Sequence, residues 1–548
     1  MRFIEKFEEN VRNYPDKVIL RDSETSLTFR ELDELSGRVY AYLKQKGIGK
    51  EDFTMIQLPH GLDAYICLLG VWRAGAATVV VDAMTGIERV AFIHDDCKCT
   101  FTISQQIWNE ILHVNPCKGH TKTDPHDAAF AVYTSGSEGT PKGVIHEYGS
   151  LDFMPLNLKR LVEKICDKPL STESIQYSYV PISTIGTIAI CTMSIWHPLT
   201  SDIGSLDLMK NPQKLREYIE TRNDFSIAFF PPSYYIYNKI AALNIGLVYL
   251  ASEPLNDYYQ EDNCLLNIYI QSEGYHICGF RLHKAYKNTP IGNPTDKEMV
   301  MLFDDDEQIT KKGAIGELCY RNPYFRGYIN DEERTRNSFV NGYFRSGDIA
   351  RVNEDGNYVI LGRKTDMIKI NGNRIEPAEI EAAVKRVLGI DWAFAKGFVQ
   401  PERSFICVYY TAEVDIEYAK TREELLKILP AYMIPSYFIK VDSIPRLPNG
   451  KVNRQAFKAP AVEEYITEYT APTNELEERL CQTMQEVLGL ERIGTHDDFY
   501  LLGGDSLRTI QLVSQLNIDD LTVTDIYAAR TPKAIAERWF GKQLLCED

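Results

Sequence analysis

The sequence predicts an α/β protein in three parts: a large layered N-terminal domain, a small α+β domain, and an all-α helical bundle. Three observations carry that prediction. Over the first two thirds, apolar strand-like runs such as "ATVVVDA" and "DAAFAVYTSG" alternate with helix-periodic segments such as "FRELDELSGRVYAYLKQKG", the rhythm of helices packed on a parallel or mixed sheet. From about Gly362 short strands, turns and helices take over, with "EPAEIEAAVKRVLGI" reading as an amphipathic helix and "FICVYYTAEVDI" as a strand. Beyond the proline-bounded acidic stretch "FKAPAVEEYITEYTAPT", which reads as a linker, three helical faces follow. Leu476, Leu480, Met484, Val487 and Leu488 mark one face; Leu507, Ile510, Val513 and Leu516 mark the next; Thr531 and Pro532 supply the N-cap and first turn of a last helix.

Bulk properties narrow the class. A chain of 548 residues is too long for a single hydrophobic core, and 44% apolar content is that of a folded globular protein. The formal charge of −17 argues against general affinity for nucleic acid or an anionic membrane, so a nucleotide here is expected as a small ligand. The N-terminal "MRFIEKFEENVRNYPDKV" lacks the apolar core of a secretory signal, and no window is apolar enough to span a bilayer, so a cytoplasmic location is expected. The twelve cysteines are scattered; only Cys97 and Cys99 lie close, at a spacing that matches no common zinc or redox pattern, and reduced thiols are expected.

Two stretches can carry chemistry. "YTSGSEGTPKG", Tyr133 to Gly143, follows a strand and combines three glycines, four serine and threonine hydroxyls and Lys142. Such a loop can wrap phosphate oxygens, with backbone N–H groups, hydroxyls and one cation, or it can be a flexible surface turn; its spacing is not that of a Walker A loop. In "YLLGGDSLRTI", Ser506 follows two glycines and opens a helix-like run, yet no histidine lies between it and Asp548 to act as its base. A helix cap by Ser506 or Asp505 is the bland alternative.

Taken in order, the motifs resemble the adenylation domains of nonribosomal peptide synthetases, within the wider adenylate-forming family that includes acyl-CoA ligases and luciferases. "YTSGSEGTPKG" is similar to their phosphate loop, "NIYIQSEG" to the Asn-x-Tyr-Gly-x-Thr-Glu motif, and "YFRSGDIA" to the Tyr-x-x-Ser/Thr-Gly-Asp motif. "GRKTDMIKINGNRIEPAEIE", "LPAYMIP" and "LPNGKVNR" match the family's small C-terminal subdomain, and "LLGGDSLRT" resembles the attachment motif of peptidyl carrier domains. The resemblance implies an adenylate-forming core over 1–365, a mobile subdomain over 366–458, a linker over 459–472 and a carrier domain over 473–545.

It also implies roles for individual residues. Thr134, Ser135, Gly136, Ser137, Gly139 and Lys142 are expected around the ATP phosphates, with Ser272 nearby. Tyr269 is expected to offer a ring face to adenine, Asp348 to accept from the ribose hydroxyls, and Arg363 to reach ribose or phosphate. Glu273 is the expected Mg²⁺ ligand, a hard oxygen donor suited to that ion. Lys451 is the expected catalytic cation bridging the acid carboxylate and the α-phosphate, Asp366 the hinge, and Ser506 the attachment point of 4′-phosphopantetheine. A phosphopantetheinyl transferase would load that arm. A condensation, reductase or other acyl-accepting protein would take the cargo, as from a free-standing loading didomain.

The acid pocket is expected at Ser183, Thr184, Thr187, Phe229, Tyr249, Ala251, Ile268, His276 and Ile277, a mixed polar and aromatic set favouring a compact substrate. Amino-acid-activating members carry an aspartate where this sequence aligns Ser183, and no acidic residue occurs between Glu173 and Asp202. The substrate therefore lacks a free α-amine, carries it elsewhere, or meets another acid. Ile270 replaces the family's glycine beside Tyr269, and "VVVDAMTGIERV" lacks the prolines common in the family's second core motif. Two other readings remain at this level: a ligase using free coenzyme A, and a scaffold in which only the carrier domain works.

Overall fold

The computed structural model describes residues 3–546 apart from 84, 135–140, 167–169, 206–207, 209–210, 238–239, 254, 256, 310–312, 365–367, 371–372, 376, 400–403, 413–415, 443, 446–455, 461–467, 505 and 519–520. Ser135, Gly136, Ser137, Gly139, Asp366 and Lys451 therefore lie outside the described residues. The chain divides into two compact units, one built from 1–136, 140–206 and 219–367, the other from 137–139, 207–218 and 368–548.

Among the described residues the first unit holds three sheets. The largest has eight strands in the order Tyr275–Arg281, Cys264–Gln271, Leu247–Ala251, Ile227–Phe230, Ile175–Ser178, Thr200–Asp202, Val18–Arg21, Ser26–Thr28, parallel except at its two outermost pairs. A second sheet orders Phe325–Tyr328, Lys142–Glu147, Ala128–Thr134, Ala77–Asp82, Phe53–Leu58 and Phe101–Ile103. Its inner strands read as continuous apolar runs because helices cover both faces, and Ala77–Asp82 is accordingly buried almost throughout. A third sheet is antiparallel, and its long strand Tyr343–Val352 alternates buried and half-exposed positions, as expected when one face meets the core and the other is wetter.

Local chemistry sets the helix starts. Thr28 and Glu31 form a reciprocal capping box that launches Phe29–Gln45. Arg73, almost fully buried, is held by Asp33, Ser36 and the carbonyls of Cys117 and Gly119, so its charge is compensated where it is desolvated. Cys97 and Cys99 bring their Sγ atoms to 2.9 Å without forming a disulfide.

In the second unit, Ala393–Val399, Ser404–Tyr410 and Tyr437–Lys440 form a three-stranded sheet beside the hairpin Ile368–Ile370 and Asn373–Ile375, with Pro377–Leu388 and Tyr418–Ile428 packed alongside. Helices Glu475–Leu488, Ser506–Leu516, Val523–Ala529 and Pro532–Cys546 then enclose a core of Leu480, Met484, Phe499, Leu512, Ile526 and Ile535. Asn474 caps the first of these through the Glu477 N–H, and Gly489 ends it in the left-handed region. Thr531 accepts from the Ala534 N–H at the start of the last. Among the described residues no helix is long and apolar enough to cross a membrane.

Candidate functional site

Residues far apart in sequence meet around the turn between strands Cys264–Gln271 and Tyr275–Arg281. Glu273, 1% exposed, receives hydrogen bonds at Oε1 from Lys142 Nζ at 3.0 Å and Tyr328 OH at 3.0 Å. Lys142 Nζ also lies 4.6 Å from the centre of the Tyr328 ring, so one cation is shared between a carboxylate and an aromatic face. The Asn322 side chain donates to the Glu273 carbonyl, and a Cβ on Gly274 would fall 2.2 Å from the Tyr320 ring, so only glycine fits there. His146 donates from Nε2 to the Ser272 carbonyl at 2.8 Å; burial pushes this imidazole down to about 4, so it is a neutral donor. Thr134 closes its strand at the start of the glycine-rich loop, and its Oγ1, buried, finds no hydrogen-bond partner among the described residues.

A second knot joins Asp348, also 1% exposed, to Tyr269, whose hydroxyl donates to Asp348 Oδ2. Gln271 braces both: its Nε2 donates to Asp348 Oδ2 at 3.0 Å, Tyr269 OH at 2.9 Å and the Ser346 carbonyl at 3.2 Å, while Tyr320 OH donates to its Oε1. Arg363 pairs with Asp348 in strand register. Sequence reading passed over Gln271, Tyr320 and Tyr328. The available signal was Gln271 itself, a polar amide two positions from Tyr269 at the end of an apolar strand, on the same face by the period of two.

The acid-pocket expectations separate. Phe229, Tyr249 and His276 line one cleft of about 500 Å³ including its mouth, together with Met154 from helix Gly149–Ile165 and Ile185, Ala189 and Met193 from helix Ile185–Trp196. Ile270 lines it as well. Ser183 is half-buried in the turn before that second helix, and Thr184 and Thr187 turn their hydroxyls to the Pro181 carbonyl, at 2.8 and 3.2 Å. Ala251 and Ile268 are buried in the apolar cluster around Tyr249, while Ile277 packs in the cluster around Tyr269. The cleft is more apolar than its expected members suggest, because Ser183, Thr184 and Thr187 are not among the described residues that line it. Among the described residues no group of three or more histidine, cysteine, aspartate or glutamate side chains is placed to hold a metal; Glu273 stands as a single buried carboxylate, which suits an ion that takes its other ligands from phosphate and water.

In the C-terminal bundle, Ser506 is the first residue of its helix. The turn before it needs glycine twice: Gly503 has φ of 106°, and a Cβ on Gly504 would lie 2.4 Å from the Phe499 ring. Tyr500 OH and Thr509 Oγ1 are 2.8 Å apart and tie that turn to the helix.

Comparison with known proteins adds the family. The AMP-binding enzyme family is matched over residues 7–329, and the phosphopantetheine attachment site over residues 478–539. Gramicidin S synthase 2 of Brevibacillus brevis is 30% identical across 97% of this chain, which spans 13% of that protein's length; tyrocidine synthase 2 of Brevibacillus parabrevis is 30% identical across 94%, spanning 15%. A holo nonribosomal peptide synthetase protein containing adenylation and PCP domains, solved with a vinylsulfonamide inhibitor, superposes with a TM-score of 0.76 at 19% identity, covering 97% of this chain and 95% of that one. An o-succinylbenzoate CoA synthetase from Bacillus subtilis gives a TM-score of 0.73 at 17% identity, covering 82% and 97%. The chain belongs to the AMP-binding enzyme family, is homologous to nonribosomal peptide synthetases, and carries a phosphopantetheine attachment domain.

Proposed function

We propose that this chain uses ATP to activate a small carboxylic or amino acid as its acyl-adenylate and then loads the acyl group onto a 4′-phosphopantetheine arm on its own Ser506. The single observation that carries the reading is the presence of an AMP-binding domain and a phosphopantetheine attachment domain in one polypeptide. A carboxylate oxygen of the acid attacks the α-phosphorus, the bond to the β-phosphate oxygen breaks, and pyrophosphate leaves. A pantetheine thiol carried on Ser506 would supply the nucleophile for the second half-reaction, in which the acyl group would pass to sulfur, AMP would leave and the thiol proton would go to solvent.

In this reading Thr134, Lys142 and the loop residues Ser135, Gly136, Ser137 and Gly139 hold phosphate oxygens, with Ser272 beside them. Glu273 would hold Mg²⁺, whose charge would offset that of the departing pyrophosphate. Asp348 and Arg363 hold the ribose, and Gln271 keeps the Asp348 carboxylate oriented before ATP arrives. Lys451 supplies positive charge where it develops at the α-phosphate, and rotation about Asp366 exchanges the small subdomain's faces between the two half-reactions. A phosphopantetheinyl transferase and a separate acyl-accepting protein complete the cycle as partners.

The fold is shared with a CoA-using ligase, so the acceptor thiol distinguishes the two readings. Pantetheinylated protein incubated with ATP and a pooled acid library is expected to gain an acyl mass on Ser506. Ser506→Ala is expected to lose that mass completely and keep acid-dependent exchange of labelled pyrophosphate into ATP. Efficient acyl-CoA formation by Ser506→Ala would overturn the self-loading step, and no exchange with any acid would overturn adenylation.

A further inference from the structure

The cleft bounded by Phe229, Tyr249 and His276 is asymmetric in its chemistry. Its walls are Met154, Ile185, Ala189, Met193 and Phe229, and among the described lining residues none is acidic. Gln176, a polar lining residue, already donates its amide to Ser201. Three polar atoms of its lining residues are buried without hydrogen-bond partners: Tyr249 OH, Tyr275 OH and His276 Nδ1. All three groups are neutral in the folded protein. Burial holds the Tyr249 phenol far above its ordinary range and pushes the His276 imidazole down to about 4.

An ammonium group entering this cleft would leave water and meet methionine, isoleucine and aromatic walls with no carboxylate to pair with, which is strongly unfavourable. Ser183, the position that the sequence aligns with an anchoring aspartate, and the neighbouring Thr184 and Thr187 are not among the described residues that line the cleft. Resting on the adenylation reading for the identity of this cleft, we propose that the acid activated here is a compact apolar carboxylic acid without an ammonium group, such as an arylalkanoic or branched aliphatic acid. Its carboxylate faces the nucleotide, and its body lies against Phe229 and Met193.

The test is direct binding of non-hydrolysable acyl-sulfamoyl adenosines to the full chain by calorimetry, in pairs that differ only in the α-amine: 3-phenylpropanoyl against L-phenylalanyl, and 4-methylpentanoyl against L-leucyl. The amine-free member is expected to bind at least about 100-fold tighter, two decades in Kd. Equal affinity, tighter binding of the aminoacyl member, or binding of none of the four overturns the proposal. Pyrophosphate exchange with the matching acids keeps the two readings apart. A preference in binding with no exchange for any acid leaves the cleft chemistry standing and removes adenylation; exchange that favours L-phenylalanine or L-leucine leaves adenylation standing and removes the amine-free substrate.

Discussion

Two neighbouring regions of the first unit handle burial in opposite ways. Around Glu273 and Asp348 the protein removes carboxylates from water and binds each one to named donors: Lys142 and Tyr328 for the first, Tyr269 and Gln271 for the second. In the cleft beside Phe229 it buries methionine, isoleucine and aromatic surface and three neutral polar atoms. The polar knots need hydrogen-bonding geometry, since an unpaired buried charge costs several kcal/mol. The cleft needs only volume and shape, which conservative apolar exchange preserves.

The sharpest way to break this contrast is to remove one partner on the charged side. Lys142→Met strands the Glu273 carboxylate, and the free energy of unfolding is expected to fall by about 3–5 kcal/mol in chemical denaturation, against less than about 1.5 kcal/mol for Met193→Leu in the cleft. Equal losses would erase the distinction.

Acid titration probes both regions at once. His146 under the Glu273 turn and His276 beside the cleft titrate near 6.5 in the unfolded chain and at about 4 when buried. Between those values the unfolded chain binds more protons, so stability is present above about 6.5 and is lost as the pH falls toward 4. Each ring contributes on the order of 2–3 kcal/mol to that loss. Denaturation curves between pH 8 and 4.5 measure it, and His276→Gln should remove about half of the slope; an unchanged slope would assign the effect elsewhere.

A smaller effect is expected from Gln271→Leu, which keeps the volume and deletes the donor to Asp348, Tyr269 and the Ser346 carbonyl. About 1–2 kcal/mol of nucleotide affinity should go with it, a rise in KM for ATP of roughly tenfold, with little change in KM for the acid. A parallel rise in both constants would argue against a role specific to the ribose side. The smallest change tests the cleft by adding what it lacks: Ala189→Asp, at a lining position, should narrow the preference between matched amine-free and amino acids by about tenfold. No narrowing would mean that position 189 does not face the substrate.

How much of this was legible beforehand follows from where each interaction lies along the chain. Contiguous signals read well: the alternation of apolar runs and periodic helices, the change of texture near Gly362, the caps at Thr531 and Pro532, and the glycine turn before Ser506 all act within a few residues. Interactions spanning the chain were hidden. Glu273 stood out by its motif, yet nothing local pairs it with Lys142, 131 positions away, or with Tyr328, 55 positions away. Thr184 and Thr187 read as polar pocket members until the turn at Pro181 was seen to accept both hydroxyls.

By itself the sequence determined the layered α/β core, the smaller α+β domain, the helical bundle and the order of the chemical motifs, because propensity, periodicity and turn chemistry are local properties of the chain. The tertiary structure alone decided which oxygen each donor reaches, that Gln271 braces Asp348, and that no acidic side chain is among the described residues lining the cleft. Those facts depend on distances between segments distant in sequence, and a distance of about 3 Å between them exists only once the backbone has closed.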